Sequence, residues 1–336
     1  MERDLTPDWI LKQTLSVQQK ALMDYVNEKT GGKDDGGLTL TMLGCGTLGS
    51  AILGGILDSL SSSQDQEADD STPKKLPTRF HACVRSPKSG ERIRKELGHY
   101  PAFKQVQVHE KNNVEPVRKA DVVLLGCKPY MVADILKAEG MREALAGKLL
   151  ISILAGVKEE QIQQHLSADC TVVRAMPNTA AAVRESMTVI ATSNPPLPKD
   201  TENLVTWIFT RVGRVTYLPA SNMDACTALC GSGPGFVALM AESLAMGAIA
   251  MGVPRDDAYL MAAQTMRGTT GLLLAGEHPA MLRDKVMTPG GCTIGGLLVL
   301  EEGAVRGTIA KAVREATVVA SQLGQGQANV NGTRRT

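Results

Sequence analysis

The stretch that decides the fold is residues 38–57, LTLTMLGCGTLGSAILGGIL. It opens with a short β-type run, Leu38–Leu43, and the glycine motif Gly44-Cys45-Gly46-Thr47-Leu48-Gly49 follows without a linker. Apolar residues then recur at helical spacing as far as Leu57. A strand that passes through G-x-G-x-x-G directly into a helix is typical of the first unit of a dinucleotide-binding α/β fold.

Each glycine of the motif has its own physical task in such a unit. Gly44 permits the tight turn, Gly46 lets the backbone approach a pyrophosphate, and Gly49 allows the helix and the strand to pack closely. The free N–H groups at the helix N-terminus attract phosphates. The motif in this context therefore predicts a dinucleotide cofactor on the loop.

The end of the second strand decides which dinucleotide is expected. Counting about twenty residues past the glycines reaches Glu67, Asp69 and Asp70, but these acids lie in a polar segment and not at a strand end. The strand end itself is Val84-Arg85-Ser86, without an acid. A guanidinium and a hydroxyl at this position suit a 2′-phosphate, so NADPH is expected, with NADH as the alternative.

Outward from the motif, strands alternate with helices. β-type or fully apolar runs occupy residues 79–84, 122–125 and 149–154, and helical patterns separate them. This alternation predicts an α/β, Rossmann-like domain with a doubly wound parallel sheet. The predicted divisions are an N-terminal extension at 1–37 with a helix from Pro7, a dinucleotide-binding domain at 38–219 with a polar insertion at 59–78, a helical domain at 220–325 and a disordered tail at 326–336.

The second half has a different texture. From about Asp224 it is rich in Ala, Met, Leu and Gly at helical spacing, which predicts an all-helical C-terminal domain. Residues 236–253 are almost uniformly apolar, so their helix must be buried on all sides. One small domain can hardly achieve this, whereas an interface between subunits can. An obligate homodimer at least is expected.

Composition excludes several classes of function. The 336 residues include 36 basic and 35 acidic side chains, for a net charge of +1, and aromatic residues make up 3%. There is no global positive field to attract nucleic acid and there are few rings to stack on bases. The longest apolar stretch is interrupted by Glu242 and Ser243, which argues against a membrane span.

Cysteine usage points to the compartment. Seven cysteines occur without a C-x-x-C pair, so neither a zinc site nor a redox motif is expected, and no metal is predicted. The first residues have neither a signal-peptide nor a transit-peptide pattern. Together these features predict a reducing, cytoplasmic location.

Two glycine-rich segments in the helical half are candidates for substrate binding. One is CGSGPG at 230–235, and the other is MTPGGCT at 287–293, directly before a new helix. Successive N–H groups and two hydroxyls at a helix N-terminus form an anion-binding nest. Because the first loop already holds the phosphates, a carboxylate is the expected guest of residues 287–293.

Taken together, these segments resemble the pyrroline-5-carboxylate reductase family. The resemblance runs from about Leu38 to about Gly324, and its most specific part is DKVMTPGGCTIGGLLVLE at 284–301. Further support comes from the opening glycine loop, the Gly-Ser-Gly-Pro run, and three short segments: Gly126-Cys127-Lys128-Pro129, Ala155-Gly156-Val157 and Met176-Pro177-Asn178-Thr179.

The resemblance implies a fold, an assembly and a reaction. The family pairs a dinucleotide domain with a helical domain that interlocks as a dimer, often assembled further into a decamer. It reduces the cyclic imine Δ1-pyrroline-5-carboxylate to proline with NAD(P)H, the last step of proline synthesis. Hydride passes to the imine carbon, and a protonated imine requires no dedicated strong acid.

The resemblance also implies roles for individual residues. The cofactor-binding residues would be Leu43, Gly44, Cys45, Gly46, Thr47, Leu48, Gly49, Arg85, Ser86, Asn113, Gly126, Cys127, Lys128, Pro129, Ile153, Leu154 and Ala155. The substrate-binding residues would be Asn178, Thr288, Gly291, Cys292 and Thr293. Thr288 and Thr293 are also candidates for catalysis, and Glu277 with its neighbour His278, shortly before the signature, could serve the proton balance of the ring nitrogen.

Departures from the family pattern keep alternatives open. Cys230 and Gly235 flank the Gly-Ser-Gly-Pro core, and Met287 replaces a commonly small residue. A reductase for a methylated pyrroline or a piperideine carboxylate is therefore the second reading. A β-hydroxyacid dehydrogenase would need a catalytic lysine in the helical half, where Lys285 and Lys311 lack a glycine-rich substrate context. A non-catalytic NADPH-binding protein is the remaining alternative.

Overall fold

The structure, a computed structural model, describes residues 36–61, 72–325, 330 and 332–333. The helix predicted in the N-terminal extension lies outside these ranges, as does most of the tail predicted to be disordered. The predicted insertion at 59–78 is described only at its two ends. Those ends are regular structure, because a helix continues to Ser61 and a strand begins at Pro77.

One mixed sheet of eight strands forms the centre of the N-terminal half. The strands are β1 (Leu38–Leu43), β2 (Pro77–Val84), β3 (Val106–Glu110), β4 (Val122–Leu125), β5 (Leu149–Ser152), β6 (Thr171–Met176), β7 (Ser186–Ala191) and β8 (Gly213–Leu218). Their spatial order is β3-β2-β1-β4-β5-β6-β7-β8. The predicted parallel, doubly wound sheet is confirmed from β3 to β6, and β7 then joins β6 in an antiparallel step that the sequence analysis did not predict.

The register of the sheet brings the ends of three strands to one edge. Leu43 pairs with Cys83 on one side and with Leu125 on the other. Residues of β4 and β5 are buried throughout, which is why these strands are continuous apolar runs in the sequence. The strand order reverses between β1 and β4, and ligands bind outside the carboxyl ends of the strands at such a switch point.

Helices cover both faces of the sheet. They are α1 (Thr47–Ser61), α2 (Pro87–Leu97), α3 (Val114–Arg118), α4 (Val132–Leu136), α5 (Met141–Ala144), α6 (Glu159–Gln163) and α7 (Lys199–Thr210), with 3₁₀ turns at Pro101–Gln105, Pro129–Met131 and Thr179–Val183. One hydrophobic cluster contains Ile52 of α1 and Phe209 of α7, and the opposite cluster contains Val117 of α3 and Ile162 of α6. This half therefore has a core on each side of its sheet.

Residues 220–324 are helical, which confirms the predicted all-helical C-terminal domain. A 3₁₀ turn at Ala220–Asn222 leads into α8 (Met223–Cys226), a π-helical turn (Thr227–Gly231), α9 (Gly233–Ala250), α10 (Arg255–Leu274), α11 (Pro279–Lys285), α12 (Cys292–Glu302) and α13 (Val305–Gly324). The last helix packs back onto the first half. At Gly156, with φ +72°, a Cβ would lie 3.3 Å from the Ala320 carbonyl oxygen.

The middle helices of this half bury little within one chain. Ala245 is the only buried residue of α9, and α12 has none. Leu239, Leu260 and Val299 expose 64%, 69% and 66% of their surface. The helix that was expected to be buried on all sides is thus open in the single chain. By length and composition alone Ala220–Ala250 could also cross a membrane, a test that core helices of water-soluble proteins pass as well.

Candidate functional site

The glycine loop has the geometry that its residues require. Gly44 has φ +95°, and a Cβ there would lie 2.7 Å from the Cys127 backbone nitrogen. At Gly49 a Cβ would come within 3.3 Å of the Gly44 carbonyl oxygen, whereas at Gly46 it would meet nothing within 4 Å. Gly44 and Gly49 are therefore set by the protein's own packing. Gly46 is the one that leaves room for a ligand to approach the backbone.

The loop opens into a cleft with a volume of about 710 Å³. All the cofactor-binding residues predicted from the sequence line it except Ser86: Leu43, Gly44, Cys45, Gly46, Thr47, Leu48, Gly49, Arg85, Asn113, Gly126, Cys127, Lys128, Pro129, Ile153, Leu154 and Ala155. Ser86 caps α2 instead, and its Oγ accepts a hydrogen bond from the Ser89 N–H at 3.4 Å. The cleft is of the size that small-molecule and cofactor sites have.

Several lining residues were missed in the sequence. Ser89 and Arg92 lie three residues apart in α2, the spacing of one helix face, so that pattern could have found them. Lys111 follows β3, a strand that the sequence analysis did not recognise. Tyr130, which is 79% exposed, extends the wall begun by the predicted segment 126–129.

Three cysteine thiols line the cleft and are unreactive there. Burial raises the pKa of Cys45 to about 11 and that of Cys127 to about 11. Burial, with a contribution from neighbouring Cys45, raises the pKa of Cys83 to about 12. A thiol is nucleophilic only as the thiolate, so these groups act as apolar lining at neutral pH.

Positive side chains gather where β2 and β3 end. Arg85, Arg92 and Lys111 all line this part of the cleft. Arg92 is held on both sides, because its Nη1 lies 2.9 Å from Glu96 Oε2 and its Nη2 donates to the Cys45 carbonyl at 3.3 Å. This end of the cleft is therefore suited to an anionic group.

The second glycine-rich loop lies at the start of α12. Gly290 has φ +70°, and the Gly291 N–H donates to the Thr288 carbonyl at 2.9 Å. A Cβ at Gly291 would overlap the Thr288 hydroxyl. The loop thus ends with Cys292 and Thr293 in the first turn of an eleven-residue helix, where backbone N–H groups are free to bind an anion.

Glu277 lies near this loop in sequence and is tied to its base. The carboxylate of Glu277 forms a two-pronged ion pair with Lys285, at 2.6 and 2.7 Å from Nζ. His278 caps α11, and its Nδ1 accepts the Ala280 N–H at 3.3 Å. Lys285, considered above as a candidate catalytic lysine of a β-hydroxyacid dehydrogenase, is thus ion-paired with Glu277.

Asn178 lies at the start of the turn Thr179–Val183, which borders the cleft. Its Oδ1 accepts the Ala180 N–H at 3.0 Å, and its own N–H donates to Ser186 Oγ at 3.0 Å. Thr179 and Ala182 line the cleft, whereas Asn178 does not. The structure therefore gives Asn178 a role in holding this turn.

The two predicted sites are separate within one chain. Cleft residues run from Leu43 to Ala182, and none of the residues 277–293 is among them. Thr288 and Thr293 lie on the helical half, whose apolar faces are open. Among the described residues there is also no group of three or more His, Cys, Asp or Glu side chains that could hold a metal.

A glycine loop at the switch point of such a sheet is typical of a dinucleotide site, and a helical half follows it in the chain. The chain is in the class of two-domain, dinucleotide-dependent oxidoreductases. A family model described as pyrroline-5-carboxylate reductase dimerisation matches residues 220–323, and one described as NADP oxidoreductase, coenzyme F420-dependent, matches residues 39–156.

Relatives specify the family. The pyrroline-5-carboxylate reductase of Lophium arboricola is 61% identical over 90% of this chain and 98% of its own length, and that of Neurospora crassa is 54% identical over the same shares. The crystal structure of the Plasmodium falciparum pyrroline carboxylate reductase with NADP bound has a TM-score of 0.69 at 25% identity, over 85% of this chain and 98% of that one. The chain belongs to the pyrroline-5-carboxylate reductase family, which confirms the resemblance.

Proposed function

We propose that the chain reduces Δ1-pyrroline-5-carboxylate to L-proline with NADPH, the last step of proline biosynthesis. The observation that carries the proposal is the pairing of two complementary anion sites on one chain. One is a switch-point cleft with the volume for a dinucleotide, and the other is the Thr288–Thr293 loop, which ends at the N-terminus of α12. The relatives bearing the reductase name cover nearly the whole chain at high identity.

The cleft residues fit NADPH. Gly46 leaves its backbone open to a pyrophosphate, and the N-terminus of α1 faces the same space. Arg85 offers a guanidinium for the 2′-phosphate, a charge-assisted contact of about 1.5–3 kcal/mol. A homologous reductase was crystallised with NADP bound. When bound, this cofactor supplies the hydride that is transferred to the imine carbon.

The substrate loop is inferred to come from a second copy of the chain. Within one chain the cleft and residues 288–293 do not meet, and the helical half leaves large apolar side chains uncovered. Packing two helical halves together covers these faces, and it can present the loop of one copy to the cleft of the other. A homodimer is therefore the smallest active unit, and further assembly into a decamer stays a prediction.

The chain's own residues bind and orient the imine. Backbone N–H groups and the hydroxyls of Thr288 and Thr293 hold the carboxylate at the N-terminus of α12. Glu277, held by its ion pair with Lys285, is the proposed carboxylate for the ring nitrogen, since a nearby negative charge stabilises a protonated imine. The nitrogen ends as a secondary amine. Holding the imine carbon in reach of the hydride can supply about 7–11 kcal/mol of the barrier.

The proposal also includes a location. All seven cysteines are free thiols, and reduced thiols are usual in a reducing compartment. A cytoplasmic enzyme fits this usage. The long apolar helix at 233–250 is assigned to the subunit interface, since the family's dimerisation model spans it.

The direct test follows NADPH oxidation by the purified protein with pyrroline-5-carboxylate, and in parallel with the six-membered piperideine carboxylate. We expect turnover with the five-membered ring and about a 100-fold lower kcat/KM in Thr293→Ala, the size of one charge-assisted hydrogen bond. Thr308→Ala is the matched control, since this exposed hydroxyl bonds only within α13, to the Ala304 carbonyl. Turnover of the larger ring alone would replace the proposed substrate, and no turnover of either would refute the function.

A further inference from the structure

Lys111 has a backbone conformation that a lysine adopts at a cost. Its φ is +60°, and among the described residues the only other non-glycine residues with positive φ are Arg184 and Ala304. The left-handed region is sterically unfavourable for a residue that carries a side chain. The Lys111 N–H donates to the Val84 carbonyl at 3.1 Å, so the edge of the sheet holds the strained residue in place.

The turn by itself would be better served by glycine. Glycine populates positive φ without a steric penalty, and Gly140, Gly147 and Gly156 have this conformation elsewhere in the chain. A residue held in a strained conformation points to a use for its side chain. The Lys111 side chain lines the cofactor cleft, which indicates what that use is.

Arg85 and Lys111 end neighbouring strands side by side. Val84 pairs with Glu110 in the parallel ladder of β2 and β3, and Arg85 and Lys111 are the next residue of each strand. Glu110, the acid closest to Lys111 in sequence, lies 3.7 Å from Arg94 and is paired there. Two cations thus stand next to each other at the rim of the cleft.

Neither cation is neutralised by an acidic side chain of the described residues. Across residues 36–61 and 72–325, no acidic side chain forms an ion pair with Arg85 or Lys111. Arg92 is already bound to Glu96 and to the Cys45 carbonyl. It therefore adds to the positive potential of the cleft but has fewer N–H groups left to bind a ligand. Adjacent like charges repel each other, and a dianion between them turns this repulsion into attraction.

We propose that Lys111 is a specificity-determining residue that binds the 2′-phosphate of NADPH together with Arg85, its left-handed backbone turning the side chain into the cleft. The proposal rests on the proposed use of NADPH. Because NADH has no phosphate at this position, the contact discriminates between the two cofactors rather than supporting both. Lys111 thereby supplies a second cation, beside Arg85, for the 2′-phosphate.

The test uses Lys111→Gly, which removes the ammonium group and the strain together. We expect the melting temperature to stay level or rise, while the Kd for NADP⁺ rises at least tenfold and the Kd for NAD⁺ changes less than twofold, both by titration calorimetry. If Lys111 serves only the turn, Lys111→Gly should leave the Kd for NADP⁺ and the Kd for NAD⁺ both unchanged. Lys111→Arg should restore most of the preference for NADP⁺.

Two controls keep the result interpretable. Ala304→Gly relieves the same kind of strain outside the cleft, so it should match the thermal effect without changing either affinity. Lys111→Asn tolerates positive φ and lacks the charge, so it should lose NADP⁺ affinity as the glycine variant does. An unchanged ratio of NADP⁺ to NAD⁺ affinity in both variants would overturn the inference. Because binding is measured without turnover, a failure of the proposed reaction would appear separately, in the parent enzyme's assay.

Discussion

Two apolar helices of this chain differ in how much of their surface is buried. Helix α1 has fifteen residues, of which eight are buried, while α9 has eighteen residues, of which only Ala245 is buried. Both are rich in small and aliphatic side chains, so composition does not separate them. The difference is that α1 lies against the sheet that its own chain provides, whereas the surface that would cover α9 is missing from the single chain.

This contrast divides the molecule into a complete half and an incomplete one. The α/β half has a core on both sides of its sheet and a cleft formed entirely by residues 43–182. The helical half exposes Leu239, Leu260 and Val299, and its glycine-rich loop at 287–293 lies apart from that cleft. A second copy would cover the exposed faces and complete the site in one step.

A charge placed on the exposed apolar face of α9 should have the largest effect on assembly and turnover. In Leu239→Glu the carboxylate would be buried in the subunit interface without a partner, which costs several kcal/mol. We expect a monomer by analytical ultracentrifugation and at least a 100-fold loss of turnover, while NADPH still binds the α/β half. Lys95→Glu, on the exposed side of α2, should leave assembly and turnover as they are. A dimeric, active Leu239→Glu protein would show that the exposed face of α9 is not covered by a second copy.

The next effect separates two glycines of one loop. Gly44→Ala forces a Cβ onto the Cys127 backbone at positive φ, so we expect a loss of about 2–4 kcal/mol of unfolding free energy. Gly46→Ala meets open space, so the apoprotein should keep its stability while the Kd for NADPH rises roughly tenfold or more. Urea unfolding and calorimetry measure the two quantities. Equal stability losses would show that Gly46 is also a packing residue.

The smallest effect tests the independence of the α/β core. His81 is 6% exposed and its Nδ1 lies 2.8 Å from His109 Nε2. Burial, then His109 and Lys119, lowers the pKa of His81 from 6.5 to about 4. The folded state resists protonation of His81. The contribution of this neutral imidazole to the unfolding free energy is therefore complete above pH 6.5, and it falls by at most roughly 3 kcal/mol as the pH drops toward 4.

A variant shows where this pH dependence resides. His81→Gln should flatten the fall in unfolding free energy between pH 6.5 and 4, measured by urea titration of the monomeric Leu239→Glu background. His99, which is exposed just after α2, is the control position, and His99→Gln should leave the slope unchanged. A slope that His81→Gln does not alter would place the acid sensitivity elsewhere in the half.

Prediction from sequence succeeded where one local pattern carried the information. The strand, glycine loop and helix at 38–57 specify their own geometry, and Arg85 ends a recognisable strand. Lys111 was missed because β3 is five residues long and half-exposed, without an apolar run. Strands β6, β7 and β8 were also missed, and the antiparallel direction of β7 is set by connections rather than by composition.

The helical half shows the limit of such inference in another form. The uniform apolarity of residues 236–253 predicts a covering surface, which the single chain does not supply. It could not indicate that the glycine-rich loop at 287–293 would lie apart from the cleft in the same chain. That separation depends on how α9 to α13 are arranged in space, which no motif records.

If each active site joins the cleft of one copy to the loop of another, mixing two inactive variants should restore activity. Gly46→Val should close the cleft without disturbing the apoprotein, and the double variant Thr288→Ala/Thr293→Ala should disable only the loop. After the two are unfolded together and refolded, half of the dimers are mixed, and each mixed dimer has one intact site. We expect recovery of about a quarter of the parental turnover. Turnover no higher than the sum of the two separate residual activities would contradict it.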